Sequence, residues 1–436
     1  MYDDELIGRW HRHAIGALPK FRLIDFHTHT GANDPDEFKL SAPELLAELE
    51  AVDSHAVVMP MQEPTGYPRA NERVLAEAAG AGGRLIPFCR LDPKRDAIVE
   101  AKRCVEAGAR GIKLHPRAEG FELSEPAVEE IFRFAHERRL PILIHAGRGI
   151  PGLARDALRL AGQYEDARIV LAHGGISDLG WLWREVQHQP NLYFDLSWWQ
   201  PSDLLTLLAL VPPGQLLYGS DLPYFTPTLI STLIARFGFQ VGLHPRQITG
   251  ILGRQAERVL AGEEPLDLGP PPGPSALAHD ILLERIADWL VLAVGRMVLG
   301  DSGYEALSLA RLACDLGDRE APGMAVCRSI LMLLDLQEQF ATENPTDGAP
   351  VYPGARSIML AACLARTPNV TVPRIRELEP QEEFARRCSL GHRDLEETGL
   401  RPSAEEPRDL RRSSAVDHLV IDPHAGGTAL TRVRRS

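Results

Sequence analysis

His27 and His29 lie two residues apart in Leu23–Thr30, LIDFHTHT. Leu23, Ile24 and Phe26 read as a short buried strand, and on a strand alternate side chains share a face. The two imidazoles therefore point at one place, where ring nitrogens suit a divalent metal. Alone, a His-x-His at a strand end is more often a pair of structural histidines. Four later apolar runs also end in residues that carry chemistry: GIKLHP with Lys113 and His115, ILIHAG with His145, VLAHGG with His173 and YGSDLP with Asp221. Imidazoles and one carboxylate around a common point make a site for zinc or another borderline divalent ion, with a position open for water. A bound ion lowers the pKa of that water, and Asp221 can take the proton as general base.

Other residues could join this set. His115 shares a face with Lys113, although Pro116 beside it can equally end the strand. Arg117 and Arg148 follow two of the runs and carry the donor fork that clamps a carboxylate, but rim arginines are often just solvated. Trp198, Trp199 and Tyr224 can wall a pocket for a flat substrate or simply pack. Asp25, two residues before His27, can orient the metal ligands. His11, His13, His55, His136 and His188 fall outside the strand ends or on helices and read as structural.

A repeated strand–helix unit must position these residues. Apolar runs at Leu23–His29, His55–Gln62, Leu85–Asp92, Gly111–His115, Ile142–Ala146, Ile169–His173, Leu192–Ser197 and Leu216–Asp221 alternate with helical patterns such as Ala42–Ala51, Asn71–Ala79, Arg95–Ala107, Pro126–Arg139 and Asp178–His188. Ser41 and Ser124 stand where N-caps belong. This alternation implies a parallel sheet covered by helices, and eight strands over this length imply a TIM-like (β/α)8 barrel. A doubly wound open sheet would want a Gly-rich turn after its first strand, where this chain has histidines. In a closed barrel the loops after the strands share one rim, so the residues above converge there. The expected organisation is an N-terminal extension over 1–20, the barrel over 21–262, a Pro- and acid-rich linker over 263–275, a small helical region over 276–371 and an irregular tail over 372–436. The helical patterns of the fourth part run over Ala276–Leu299, Tyr304–Leu316, Gly323–Thr342 and Gly354–Thr367.

Bulk properties narrow the function. At 436 residues the chain exceeds one ordinary core. A formal charge of −13 argues against a nucleic-acid backbone as partner. The acidic N-terminus lacks a secretory core, and Ile281–Leu299 carries too many charges to span a membrane. Six cysteines without a Cys-x-x-Cys pair suit a reducing cytoplasm and indicate neither a zinc ribbon nor a redox motif. The expected partner is a small molecule, with self-association left open.

The motifs DFHTHT, GIKLHP, ILIHAG, LAHGG and GSDLP, with ILGRQAERVLAG at Ile251–Gly262, resemble the amidohydrolase superfamily, in its amidohydrolase-2 branch of metal-dependent decarboxylases and hydrolases. The resemblance covers roughly Phe21–Gly262. It implies His27, His29, His145 and Asp221 as metal ligands, and His173 as a residue touching the substrate or the metal-bound water. In two-metal members a lysine matching Lys113 is carbamylated and bridges the ions. The branch resembled here favours one ion, zinc or alternatively manganese, with Lys113 as a cation for an anionic substrate group.

Two enzymatic readings follow: hydrolysis of an amide, ester or lactone by metal-activated water, and non-oxidative decarboxylation or hydration of a small carboxylic acid. In the first, Asp221 and His173 are catalytic. Lys113, His115 and Arg148 are the candidate substrate contacts in either. A catalytically idle barrel acting as an interaction module is a third reading. A metal-dependent nuclease would be expected to have a glutamate in place of Lys113 and a basic groove.

Overall fold

The computed structural model describes residues 2–147, 150, 152–277, 280–318, 320–321, 323–343 and 352–373. Arg148 and, of the expected tail, residues 374–436 lie outside the described residues. Eight parallel strands follow one another in sequence order: β1 (Leu23–Thr30), β2 (Ser54–Pro60), β3 (Leu85–Arg90), β4 (Gly111–Leu114), β5 (Pro141–Ile144), β6 (Arg168–Leu171), β7 (Leu192–Asp195) and β8 (Leu216–Leu217). Helices lie between them, as expected for a (β/α)8 barrel. β8 is shorter than the apolar run Leu216–Asp221. The remainder of that run hydrogen-bonds along β1 instead. Phe26 N–H donates to the Tyr218 carbonyl (2.8 Å), Asp221 N–H to that of His27 (2.7 Å) and His29 N–H to that of Leu222 (2.9 Å).

Inside the barrel, Phe26, Met59, Phe88, Leu143, Val170 and Tyr193 pack into a buried floor. The register of β1 on β2 shifts between Asp25 and Thr28. A bulge of this kind re-aims side chains, and here Phe26 fills the floor while His27 and His29 open onto the rim. A helical segment seals the floor from below, running from Pro245–Thr249 through a wider π turn at Gly250–Arg254 into Gln255–Leu260. Its Ala256 and Val259 join the floor, and a Cβ on Gly253 would collide with the Arg22 carbonyl.

Local chemistry accounts for the helix starts. Ser41 accepts the Glu44 N–H while Glu44 accepts the Ser41 N–H (2.8 Å), a capping box for Ala42–Ala51. Ser124 does not cap: Pro126–Arg138 begins after Glu125, and the Ser124 hydroxyl donates to Glu122 instead. Within the N-terminal extension, Tyr2–Gly16 is helical and buries Ile7, Trp10 and Ala14. The helical patterns after the linker form Ile281–Met297, Tyr304–Ala313, Met324–Glu343 and Ala355–Ala365. Buried Arg236, on the helix Pro227–Gln240, joins these parts. Its guanidinium donates to Thr367 Oγ1 (2.9 Å) and the Thr371 carbonyl (3.0 Å) and lies 5.5 Å from the Trp10 ring centre. No helix among the described residues is long and apolar enough to cross a membrane.

His11 in the first helix is buried and its Nδ1 hydrogen-bonds Ser231 Oγ at 2.9 Å. Burial, with the nearby Arg12 charge, lowers its pKa from 6.5 to about 4. The unfolded chain therefore binds this proton first. Stability is full above pH 6.5 and falls as pH drops toward 4, by up to about 3 kcal/mol from this group. Urea unfolding at several pH values should show a smaller loss between pH 7 and 4.5 in His11→Asn than in the parent. An identical loss in both would refute this account.

Candidate metal centre

Three side chains from two strand ends converge at the rim. His27 Nε2 and His29 Nε2 are 3.1 Å apart, and Asp221 Oδ1 lies 3.2 Å from each. Their ligand atoms all fall within 4.8 Å of one another, and the three residues are buried. The protonation pattern is set locally. His27 Nδ1 donates to Asp195 Oδ2 at 2.6 Å, so its Nε2 carries a lone pair. His29 turns Nδ1 toward the Pro60 carbonyl at 3.4 Å, which leaves its Nε2 lone pair facing the same point. Burial, followed by the Lys113 charge, holds the pKa of both histidines well below the usual value. Two neutral imidazole nitrogens and a carboxylate oxygen with their lone pairs aimed inward repel one another unless a cation lies between them. Lys113 Nζ, 2.8 Å from His27 Nε2, supplies some of that positive charge. The donor set fits a zinc-like divalent ion.

Asp195 makes this geometry hold. It ends β7 fully buried, and Ser197 satisfies it through its N–H (2.8 Å) and Oγ (2.9 Å). Burial and the Asp221 charge push its pKa well up. Gly219, after β8, is required beside it, because a Cβ there would collide with Asp195 Oδ1 and sit 2.9 Å from His27 Cβ. Asp25 works differently from the role its position in β1 suggested. It accepts the His27 N–H (3.0 Å) and the Ser220 N–H (2.8 Å), so it ties backbone of β1 to the segment after β8 and touches neither imidazole. Burial pushes it up to about 7.

His145, His173 and His115 form a second group. His173 Nδ1 donates to the Ser197 carbonyl (3.0 Å) and its Nε2 lies 3.0 Å from His145 Nδ1. His145 stacks on His115 with ring centres 3.8 Å apart and planes at 9°. Thus His145 borders His173 and stands outside the converging set of His27, His29 and Asp221. His115 meets both readings: its Nδ1 accepts the Ala118 N–H (3.1 Å) as an N-cap, and its ring lies beside His145. His173 and Asp221 share a backbone peculiarity, φ of 55° and 57°. This left-handed conformation costs non-glycine residues on the order of 1 kcal/mol and concentrates at functional sites. The Asp221 carboxylate bridges the two groups, with Oδ1 toward His27 and His29 and Oδ2 3.9 Å from His173 Nδ1. Burial raises its pKa to about 6.

Sequence reasoning missed Asp195 and Arg90. Arg90 ends β3 in register with Lys113, which is itself in register with floor residue Leu143, so both cations point into the barrel. Arg90 pairs with Glu119 (2.8 Å) over the Tyr67 ring, and both charges are buried. The available signal was the same as for the histidines, a polar residue closing an apolar run, in LYFD and IPFCR. Trp198 and Tyr224 lie near the site, at 6.4 Å from the His173 ring and 6.2 Å from the His29 ring, whereas Trp199 is buried and Arg117 is exposed.

The sequence profile of the amidohydrolase family matches residues 20–261, more than half of the chain. The chain belongs to this family. No protein of curated function matches it in sequence. Among solved structures it is similar to 5-carboxyvanillate decarboxylase from Sphingomonas paucimobilis, at 15% identity and a TM-score of 0.46, over 56% of this chain and 99% of that one. It is also similar to 2,6-dihydroxybenzoate decarboxylase from Rhizobium, at 13% identity and 0.45, over 56% and 99%. A third is 4-oxalomesaconate hydratase from Rhodopseudomonas palustris, at 18% and 0.42, over 55% and 96%.

If Asp195 orients His27, Asp195→Asn should weaken zinc binding about 10–100-fold in a chelator competition. Gly219→Ala, which changes no ligand, should shift affinity in the same direction. Parent-like affinity in both variants would contradict the assigned role.

Proposed function

We propose that this amidohydrolase is a metal-dependent hydrolase that cleaves an amide, ester or lactone bond in a small anionic molecule. The observation that supports this most is the split Asp221 carboxylate, one oxygen among the metal donors and the other toward His173. His27, His29 and Asp221 would hold a divalent ion, zinc or manganese, with His145 as a further candidate donor. Such an ion supplies an acidified water and a Lewis acid. Asp221, its pKa raised toward neutrality, accepts a proton on Oδ2. Asp221 then returns that proton to the leaving group, while His173, its Nδ1–H held by the Ser197 carbonyl and its Nε2 against His145, stands beside it. His173 also steadies charge developing on the substrate oxygen. The apolar floor closes the site from beneath.

Lys113 supports the anionic substrate and keeps a second reading in view, decarboxylation or hydration of a small unsaturated or aromatic acid. There the proton ends on carbon, and the Trp198 and Tyr224 rings border a flat substrate. His115 and Arg148 are further candidate contacts for either substrate.

The deciding experiment is elemental analysis of the purified chain beside Asp221→Ala, followed by lactone, ester and carboxylic-acid panels. About one divalent ion per chain, lost in the variant, with acid release from a lactone or ester, is the expected result. A chain that takes up neither zinc nor manganese would overturn the reading. Carbon dioxide release or hydration without ester or lactone cleavage would replace hydrolysis with the second reaction. Lys113→Met should raise KM for anionic substrates about 10–100-fold, the worth of a charged hydrogen bond, and leave neutral esters nearly unaffected. Equal effects on both classes would remove Lys113 from substrate recognition.

A further inference from the structure

The apolar side chains left in water are concentrated in one part of the chain. Among the described residues eight large hydrophobic side chains are exposed, and all but Val99 lie between Ile281 and Leu312. Single exposed apolar residues are ordinary, whereas a concentration marks an interaction surface. The helix Ile281–Met297 buries Leu283, Ile286, Leu290 and Val294 against its neighbours. Its outer side carries Ile281, Arg285, Asp288, Leu292 and Arg296, with Leu299 just past the helix end. These positions follow one another at intervals of three or four, so they form one straight stripe. Ile281 is 79% exposed, Leu292 50% and Leu299 82%. The stripe lies beyond the family match, which ends at residue 261.

We propose that this stripe is the contact between two copies of the chain, with the helix Ile281–Met297 of each lying antiparallel across a two-fold axis at Leu292. The order of charges selects this arrangement. A two-fold sets positions equally distant from residue 292 opposite one another. Asp288 then faces Arg296 of the partner subunit, and the pair occurs twice in the dimer. In a parallel, in-register pairing Asp288 would face Asp288 and Arg296 would face Arg296, and like charges at an interface are unfavourable. Within its own chain Arg296 approaches Asp301 at 3.8 Å, with both side chains at least half exposed, a loose pair that an interchain contact can replace. The antiparallel arrangement covers Leu292 with its own copy and sets Leu299 of the partner subunit beside the Arg285 stem.

Sedimentation velocity of the full chain from about 1 to about 100 µM tests this. The expected mass is near twice the 48.1 kDa of one chain. Leu292→Glu with Leu299→Glu should raise the dimer Kd by at least about 100-fold, with circular dichroism and metal content unchanged. Arg296→Asp should weaken association, and adding Asp288→Arg to it should restore association, because the pair is then reversed on both sides. A parent that stays monomeric at the highest concentration overturns the proposal. So does association that withstands the two glutamates, or a reversed pair that does not recover.

Discussion

The hydrogen bond between His27 Nδ1 and Asp195 Oδ2, 2.6 Å long and out of contact with water, governs the rest of the site. It joins β1 to β7 and fixes which nitrogen of His27 faces the rim. A carboxylate in so dry a place is costly. Ser197 offsets part of that with two hydrogen bonds, and Gly219 leaves the volume in which the pair fits. Four positions from three separate stretches of the chain are therefore committed to the direction of one lone pair.

Around that bond the barrel interior divides in two. Below, aromatic and branched side chains fill the floor and exclude water. Above, five histidines, Lys113, Arg90 and Asp221 crowd one rim. Poor hydration keeps the histidines neutral, the form in which an imidazole binds a metal. The same dryness holds Lys113 at about 8, so its ammonium persists at neutral pH as a strong local charge. The left-handed backbone of His173 and Asp221 is tolerated because neighbouring contacts outweigh it: Asp221 N–H is held by the His27 carbonyl and His173 Nδ1 by that of Ser197. The strain falls where side chains must leave a strand end and turn inward.

The helices outside the family match contribute no side chain to this rim among the contacts described. They are nevertheless anchored to the barrel, through Arg236 and its acceptors at Thr367 and Thr371 and through its stacking over Trp10. A buried guanidinium needs several acceptors at once, and these come from a segment more than a hundred residues downstream. The N-terminal helix, the barrel helix Pro227–Gln240 and the last helices thus depend on one another.

Sequence by itself determined the strand–helix alternation, the barrel and the residues His27, His29 and Asp221. It could do so because strand period and helix period are local properties, and because a parallel barrel collects strand ends on one rim whatever its details. Tertiary structure alone decided the rest. Asp195 lies 168 residues from His27, and its role depends on which strands close the barrel and on how dry their junction is. Its place at the end of the apolar run LYFD marked it as a strand-end acid, but not as the partner of His27. Arg90 needed the register of β3 on β4 to show that it points inward, and the bulge in β1 was needed to separate Phe26 from its histidine neighbours. The place of His145, against His173 and His115 rather than among the three converging donors, likewise follows from distances of a few ångströms. Spacing along a chain selects a face, but it does not determine where on that face two side chains meet.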